Sequence, residues 1–131
     1  MEWRSWLRNK LIADATLTAL VPASRIFASG SLEGRIILKP FIVVRVDDDV
    51  PGPYPGAWRT TATLWCHDDP GSYLRLGAIL SACRLALIGS ASGLSGAIAG
   101  QWLGNSGDLS DDDFGTIVRY ITFSLNGKVP E

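Results

Sequence analysis

Residues 64–76, "LWCHDDPGSYLRL", hold the chain's single histidine, two adjacent aspartates and one of its two cysteines. Two readings compete for them: ligands gathered around a metal, or a β-strand that turns into a helix. Neighbouring residues on a strand point to opposite faces, so His67 and Asp68 diverge instead of meeting at one ion. Zinc sites commonly draw on two or more His or Cys, and calcium and magnesium sites on several carboxylates. No second histidine exists to complete a set. Asp69-Pro70-Gly71 fits a helix start instead, with Asp69 as N-cap and Pro70 at the first helical position, where its missing N–H is harmless. Cys66 and His67 fail as a nucleophile–base pair because, as strand neighbours, they too diverge. A small metal-dependent hydrolase centred on His67 and Asp68 is the competing reading. The residues favour no catalytic group, metal or cofactor.

Downstream, Tyr73, Leu76, Leu80, Cys83 and Leu87 step by three and four, which predicts a helix over 71–88 with one core stripe. Leu74, Ala78 and Leu85 make its other side apolar too, so this helix asks for cover on two sides. Upstream, "WRTTATLWCH" alternates threonines with Ala62, Leu64 and Cys66, as a half-buried antiparallel strand does. Before it, "FIVVRV" (41–46) is apolar on both faces, which suits a central strand or an interface. The loop between them, "DDDVPGPYPGA", is too rich in proline to continue a ladder, and the two strands form a hairpin around it.

The remaining elements are shorter. Trp3, Trp6, Leu7, Leu11 and Leu17 predict one helix from Trp3 to about Leu20, stopped by Pro22. Lys10 and Asp14 stand four apart in its apolar sector, either as a local ion pair or because that face meets another subunit. "SRIF" reads as a short strand, and residues 28–40 resist assignment. "GSASGLSGAIAG" reads as a mobile loop, since it lacks the Gly-Lys-Ser/Thr of a phosphate-binding loop. "QWL" reads as a short strand and "GNSGDLSDDDFG" as turns throughout. "TIVRYITFSL" is the last strand, with Arg119 among Ile117, Ile121, Phe123 and Leu125, and "NGKVPE" is expected to fray. The order α-β-β-β-α-β-β predicts a single α+β domain over 1–131: a small, mainly antiparallel sheet flanked by two main helices.

Composition narrows the function classes. The net charge of −1 and the absence of any Lys/Arg cluster argue against a dedicated nucleic-acid binder. The longest apolar run, "RIILKPFIVVRV", is broken by Lys39 and Pro40, so the chain reads as soluble with no membrane partner. Cys66 and Cys83 lack paired spacing and read as buried free thiols of a reducing compartment. Five tryptophans in 131 residues exceed what one small core needs, and point to a homo-oligomer. The acidic runs Asp47–Asp49, Asp68–Asp69 and Asp111–Asp113 lack the spacing of a calcium loop and sit where turns are expected.

The order of motifs resembles the tail terminator proteins of phages with long, non-contractile tails, most closely those of actinobacteriophages. The likeness rests on "LIADATLTALVPASRIF", "KPFIVVRV", "LWCHDDPGSYLRLGAILSACRLAL" and "GDLSDDDFGTIVRYITFSL", and covers nearly the whole chain. It is carried by Asp68 with Pro70 to Tyr73, Asp108 with Leu109, Asp111, Asp112, Phe114 with Gly115, and Arg119 to Phe123. The resemblance implies a structural virion protein, assembled in the host cytoplasm and placed at the head-proximal end of the tail. There a ring, expected to be a hexamer, caps the tail tube protein and stops its polymerisation. The ring joins the head–tail connector and leaves a channel through which DNA passes without specific binding. A head-completion or neck protein is the nearest alternative. On this reading Asp47, Asp48, Asp49, Pro51, Pro53 and Tyr54 reach a neighbouring ring. Trp3, Trp6, Lys10, Asp14, Leu74 and Leu85 are expected at protein interfaces, and Asp111, Asp112 and Asp113 face the channel, where negative charge repels DNA.

Overall fold

The structure, a computed structural model, describes residues 3–28, 39–46, 50–51, 57–87, 97–111 and 115–128. Its N-terminal segment is two helices, not one: α1 (Trp3–Ile12) and α2 (Ala15–Leu20). Asp14 makes the break. Its backbone is extended, at φ −87° and ψ 111°, and its carboxylate accepts the Leu17 amide at 3.0 Å as the N-cap of α2. An unbroken helix continuing the Leu7–Leu11 stripe would turn Asp14 and Thr18 inward. With the break, Leu17 and Val21 join Leu7 and Leu11 in the core instead.

A 3-10 turn at Ala23–Arg25 leads into β1 (Ile26–Ala28), which lies parallel to β2 (Phe41–Val46). Within the proline-rich connection a two-residue strand, β3 (Val50–Pro51), pairs with Arg59 and Trp58 of β4 (Ala57–Asp68). That corrects the expectation of a ladder-free loop. Pro51 is tolerated because the piece ends there and needs no further donor. Then come α3 (Tyr73–Leu87), β5 (Ala97–Asn105), β6 (Leu109–Asp111) and β7 (Thr116–Lys128). The sheet runs β1-β2-β4-β7-β5, with β3 beside β4 and β6 beside β7, and is antiparallel apart from β1–β2. The fold is therefore the expected α+β domain, a mainly antiparallel sheet with helices against it, but with more elements than α-β-β-β-α-β-β.

The additions share a cause. Residues 97–100, expected in a mobile loop, and residues 104–105 and 109–111 of the turn-like "GNSGDLSDDDFG" pair along the second edge of β7, which satisfies backbone groups on each side. "QWL" is thus the middle of a nine-residue strand. Asn126–Lys128, expected to fray, pair with Ala57–Arg59 at the start of β4. Residues 29–38 and 88–96 lie outside the described residues.

The register sets the core. Val44 faces Leu64, which faces Ile121, and Ala62 faces Phe123, so one face of the sheet carries an apolar row across β2, β4 and β7. That face is buried under α1, α2 and the Leu76, Ile79, Leu80, Cys83 and Leu87 stripe of α3. Tyr73, expected to lead the stripe, is 51% exposed instead. Cys66 and Cys83 are both buried and free.

Candidate functional site

The quoted stretch begins as the end of β4 and becomes the first turn of α3, but its junction is built differently from a capped helix. The Ser72 amide donates to the Asp69 carbonyl at 3.0 Å, and Gly71 takes φ +90°. Pro70 then Gly71 between those residues is the pattern of a type II turn, whose third position calls for glycine. The helix starts after it: the Leu76 amide donates to the Ser72 carbonyl at 3.0 Å, and α3 opens at Tyr73. Asp69 and Pro70 therefore belong to the turn and do not cap the helix.

Asp68 supplies the fixing instead. Its side chain is fully buried, and it accepts from the Asp69 amide at 2.7 Å and from Arg75 Nε at 2.7 Å. Arg75 Nη2 donates to its other oxygen, and also reaches Asp69 Oδ2 at 3.4 Å. A forked guanidinium on a carboxylate is the stronger kind of hydrogen-bonded ion pair. It locks the end of the sheet to the first turn of α3 across the turn.

His67 points to the other side of the sheet. Its ring stacks on Phe41, with centroids 4.3 Å apart and planes 10° off parallel, and its Nδ1 shares a hydrogen bond with Thr116 Oγ1 at 2.9 Å. Burial pushes its pKa down to about 4, against a smaller upward pull from Asp111. The imidazole is neutral at pH 7. His67 and Asp68 thus work in separate packing arrangements on opposite faces. Among the described residues no group of three His, Cys, Asp or Glu is placed to hold a metal ion. The Cys83 thiol, hydrogen-bonded with Cys66 and buried, is pushed well above its ordinary pKa and stays protonated, which makes it a poor nucleophile.

What the molecule does present is surface. Along the outer side of α3, Leu74 is 94% exposed and Leu85 is 75% exposed, with Ala78 and Ser81 between them on the same stripe. The opposite side of the sheet is more covered, with Phe41, His67, Thr116 and Val118 buried at one end of it. Elsewhere on it Val43, Trp65 and Tyr120 are half-buried, the rings of Trp65 and Tyr120 lie 4.8 Å apart, and Thr61, Thr63, Thr122 and Ser124 surround them. Exposed Arg45 and Arg59 border this face. No local pattern marks those arginines' common face, nor the pairing of Arg75 with Asp68 seven residues before it.

The other expected interface residues are distributed as follows. Lys10 is half-buried on α1, and Asp14 caps α2. Trp3, Trp6 and Pro51 are placed by backbone alone, on α1 and β3. Asp111 is half-buried on β6, close enough to His67 to act on its charge, so it is not a freely solvated turn residue. Asp47, Asp48, Asp49, Pro53, Tyr54, Asp112 and Asp113 lie outside the described residues. No helix among the described residues is long and apolar enough to cross a membrane.

No family model matches this chain, and no curated protein does. Among solved structures, a chain of the virion of a native gene transfer agent particle has the same fold. The two superpose with a TM-score of 0.74 at 18% identity, over 95% of this chain and 93% of the other. The likeness is therefore end to end, and it is one of fold.

Proposed function

We propose that this protein is a structural, non-enzymatic component of a phage-like virion. In this reading a ring of copies caps the tail tube, stops its polymerisation and joins the tail to the head connector, leaving a channel for DNA. The observation that carries it is the end-to-end likeness of fold to a chain of a gene transfer agent virion. The motif order, which resembles tail terminators over nearly the whole chain, agrees with it. The outward stripe of Leu74 and Leu85 supports the assembly part, because apolar side chains this exposed on a folded helix suit a protein contact. The buried, mutually satisfied arrangements around His67 and Asp68 favour a structural role over the hydrolase reading.

Negative-stain electron microscopy of particles assembled with and without this chain tests the proposal. Free tubes of uncontrolled length in its absence are the expected result. Tails of normal length that fail to join heads would move the protein to the neck, and normal virions would remove the structural reading altogether.

A further inference from the structure

We propose that Cys66 and Cys83 are a redox latch: two thiols inside the cell, and a disulfide tying α3 to the sheet once the protein meets an oxidising medium. Cys66 projects from the helix side of β4, next to Leu64 in the strand's alternation, and Cys83 from the inner stripe of α3 between Leu80 and Leu87. Both are fully buried in the same cluster, and both are free. The Cys66 thiol donates weakly to the Leu64 carbonyl, at 3.9 Å, which leaves its sulfur to accept from Cys83. Among the described residues no third His, Cys, Asp or Glu gathers with them to hold a metal ion.

Two sulfurs in hydrogen-bond contact need only small side-chain rotations to reach a bond of about 2 Å. The reaction is thiol–disulfide exchange with a low-molecular-weight disulfide such as oxidised glutathione. One protein thiolate attacks it, giving a mixed disulfide and one small thiol. The second protein sulfur then attacks the first, and the other small thiol leaves. Two electrons pass from the cysteine pair to the small disulfide, and the two thiol protons end on its halves. Burial holds Cys83 protonated and screens both sulfurs, so the exchange starts only from a local opening of α3 against β4. The finished bond closes a loop over the turn and the Asp68–Arg75 clamp, and so suppresses that opening. The inner side of the helix is then fixed while Leu74 and Leu85 on its outer side stay available. The chemistry does not rest on the virion reading. Its timing does, since a virion is assembled in a reducing cytoplasm and released outside it.

The test is mass spectrometry of the full chain after incubation with oxidised glutathione, in buffer and in urea just below the unfolding transition. The expected product is a monomer lighter by two hydrogen atoms, with the Cys66 and Cys83 peptides linked after digestion, and it forms faster in urea. Its thermal midpoint should rise by about 10 °C and fall back on reduction. Cys83→Ser should give no such product and take up at most one glutathione. Thiols that stay free even in urea overturn the inference. So do glutathione left on both cysteines, cross-linked pairs of chains, or a link that leaves the midpoint unchanged. Alkylating released particles in denaturant, with and without prior reduction, checks the timing. Both cysteines should label only after reduction, and labelling without it overturns the latch. Particles that lack this chain altogether would count against the virion reading alone.

Discussion

Along β4, Ala62, Leu64 and Cys66 are fully buried beneath the helices, while Thr61, Thr63 and Trp65, one position away, are half-buried on the other side. The first set lies in register with Val46, Val44 and Ile42 on β2 and with Phe123 and Ile121 beside Ala62 and Leu64 on β7, and the fit of such buried groups decides stability. The second set is two hydroxyls and a tryptophan packed on Tyr120 of β7, with Arg45 and Arg59 at its border. The strand's period of two has separated holding the domain together from presenting a surface. The outer stripe of α3 repeats this division on a helix, with Leu76 and Leu80 inside and Leu74 and Leu85 outside.

The sharpest way to break this contrast is to cut both faces. Phe123→Ala on the face beneath the helices should cost about 4 kcal/mol, and Thr63→Ala on the other face less than about 0.5 kcal/mol, by urea denaturation. Equal losses would mean that the face away from the helices is a second core.

A pH titration of stability probes the buried end of the sheet's other face, at His67. Unfolded His67 takes up a proton near pH 6.5, and the folded protein does so only near pH 4. Between those values the unfolded chain binds more protons, so stability is full above about pH 6.5 and falls as the pH drops towards 4. The shift is worth on the order of 3 kcal/mol. His67→Gln should flatten this part of the profile, and an unchanged profile would assign it to carboxylates.

Next in size is the clamp. Arg75→Ala should cost about 2 kcal/mol, because it strips a fully buried carboxylate of its charged partner. Asp68→Ala should cost less, since Arg75 is 41% exposed and falls back on water. The reverse order would deny that Asp68 is the buried member that matters. Gly71→Ala should cost about 1 kcal/mol through its positive φ alone, because an added Cβ would meet nothing within 4 Å. Smallest of all, Leu74→Ser with Leu85→Ser should change the stability of the free chain by less than about 0.5 kcal/mol, yet impair incorporation into particles.

The elements that could be read from sequence were those whose pattern and neighbours agree. Alternation through 60–67 and the three-and-four spacing of Leu76, Leu80, Cys83 and Leu87 each bury one face, so the hairpin of β2 and β4, α3 and β7 were legible. Where local chemistry points one way and tertiary pairing another, the reading failed. Gly100, Gly104 and Gly107 mark turns locally, yet β7 recruits the segment around them into β5 and β6. Asp14 does carry a local signal, an aspartate before a short helical run, but the apolar spacing across it masked the break. In the site, the divergence of His67 and Asp68 followed from strand period. The grip of Arg75 on Asp68 did not, because it depends on how tightly the intervening turn folds back. The division of labour between surfaces depends in turn on which side the helices take, which no local pattern states.

Hydroxyl-radical footprinting of the chain, free and within assembled particles, examines the surface assignment most directly. Leu74, Leu85 and Tyr73 should react in the free protein and become protected on assembly, while Leu76 and Phe123 stay protected throughout. If Leu74 and Leu85 react equally in both states, the outer side of α3 is not an assembly surface, and the division between the holding and presenting sides of this fold is wrong.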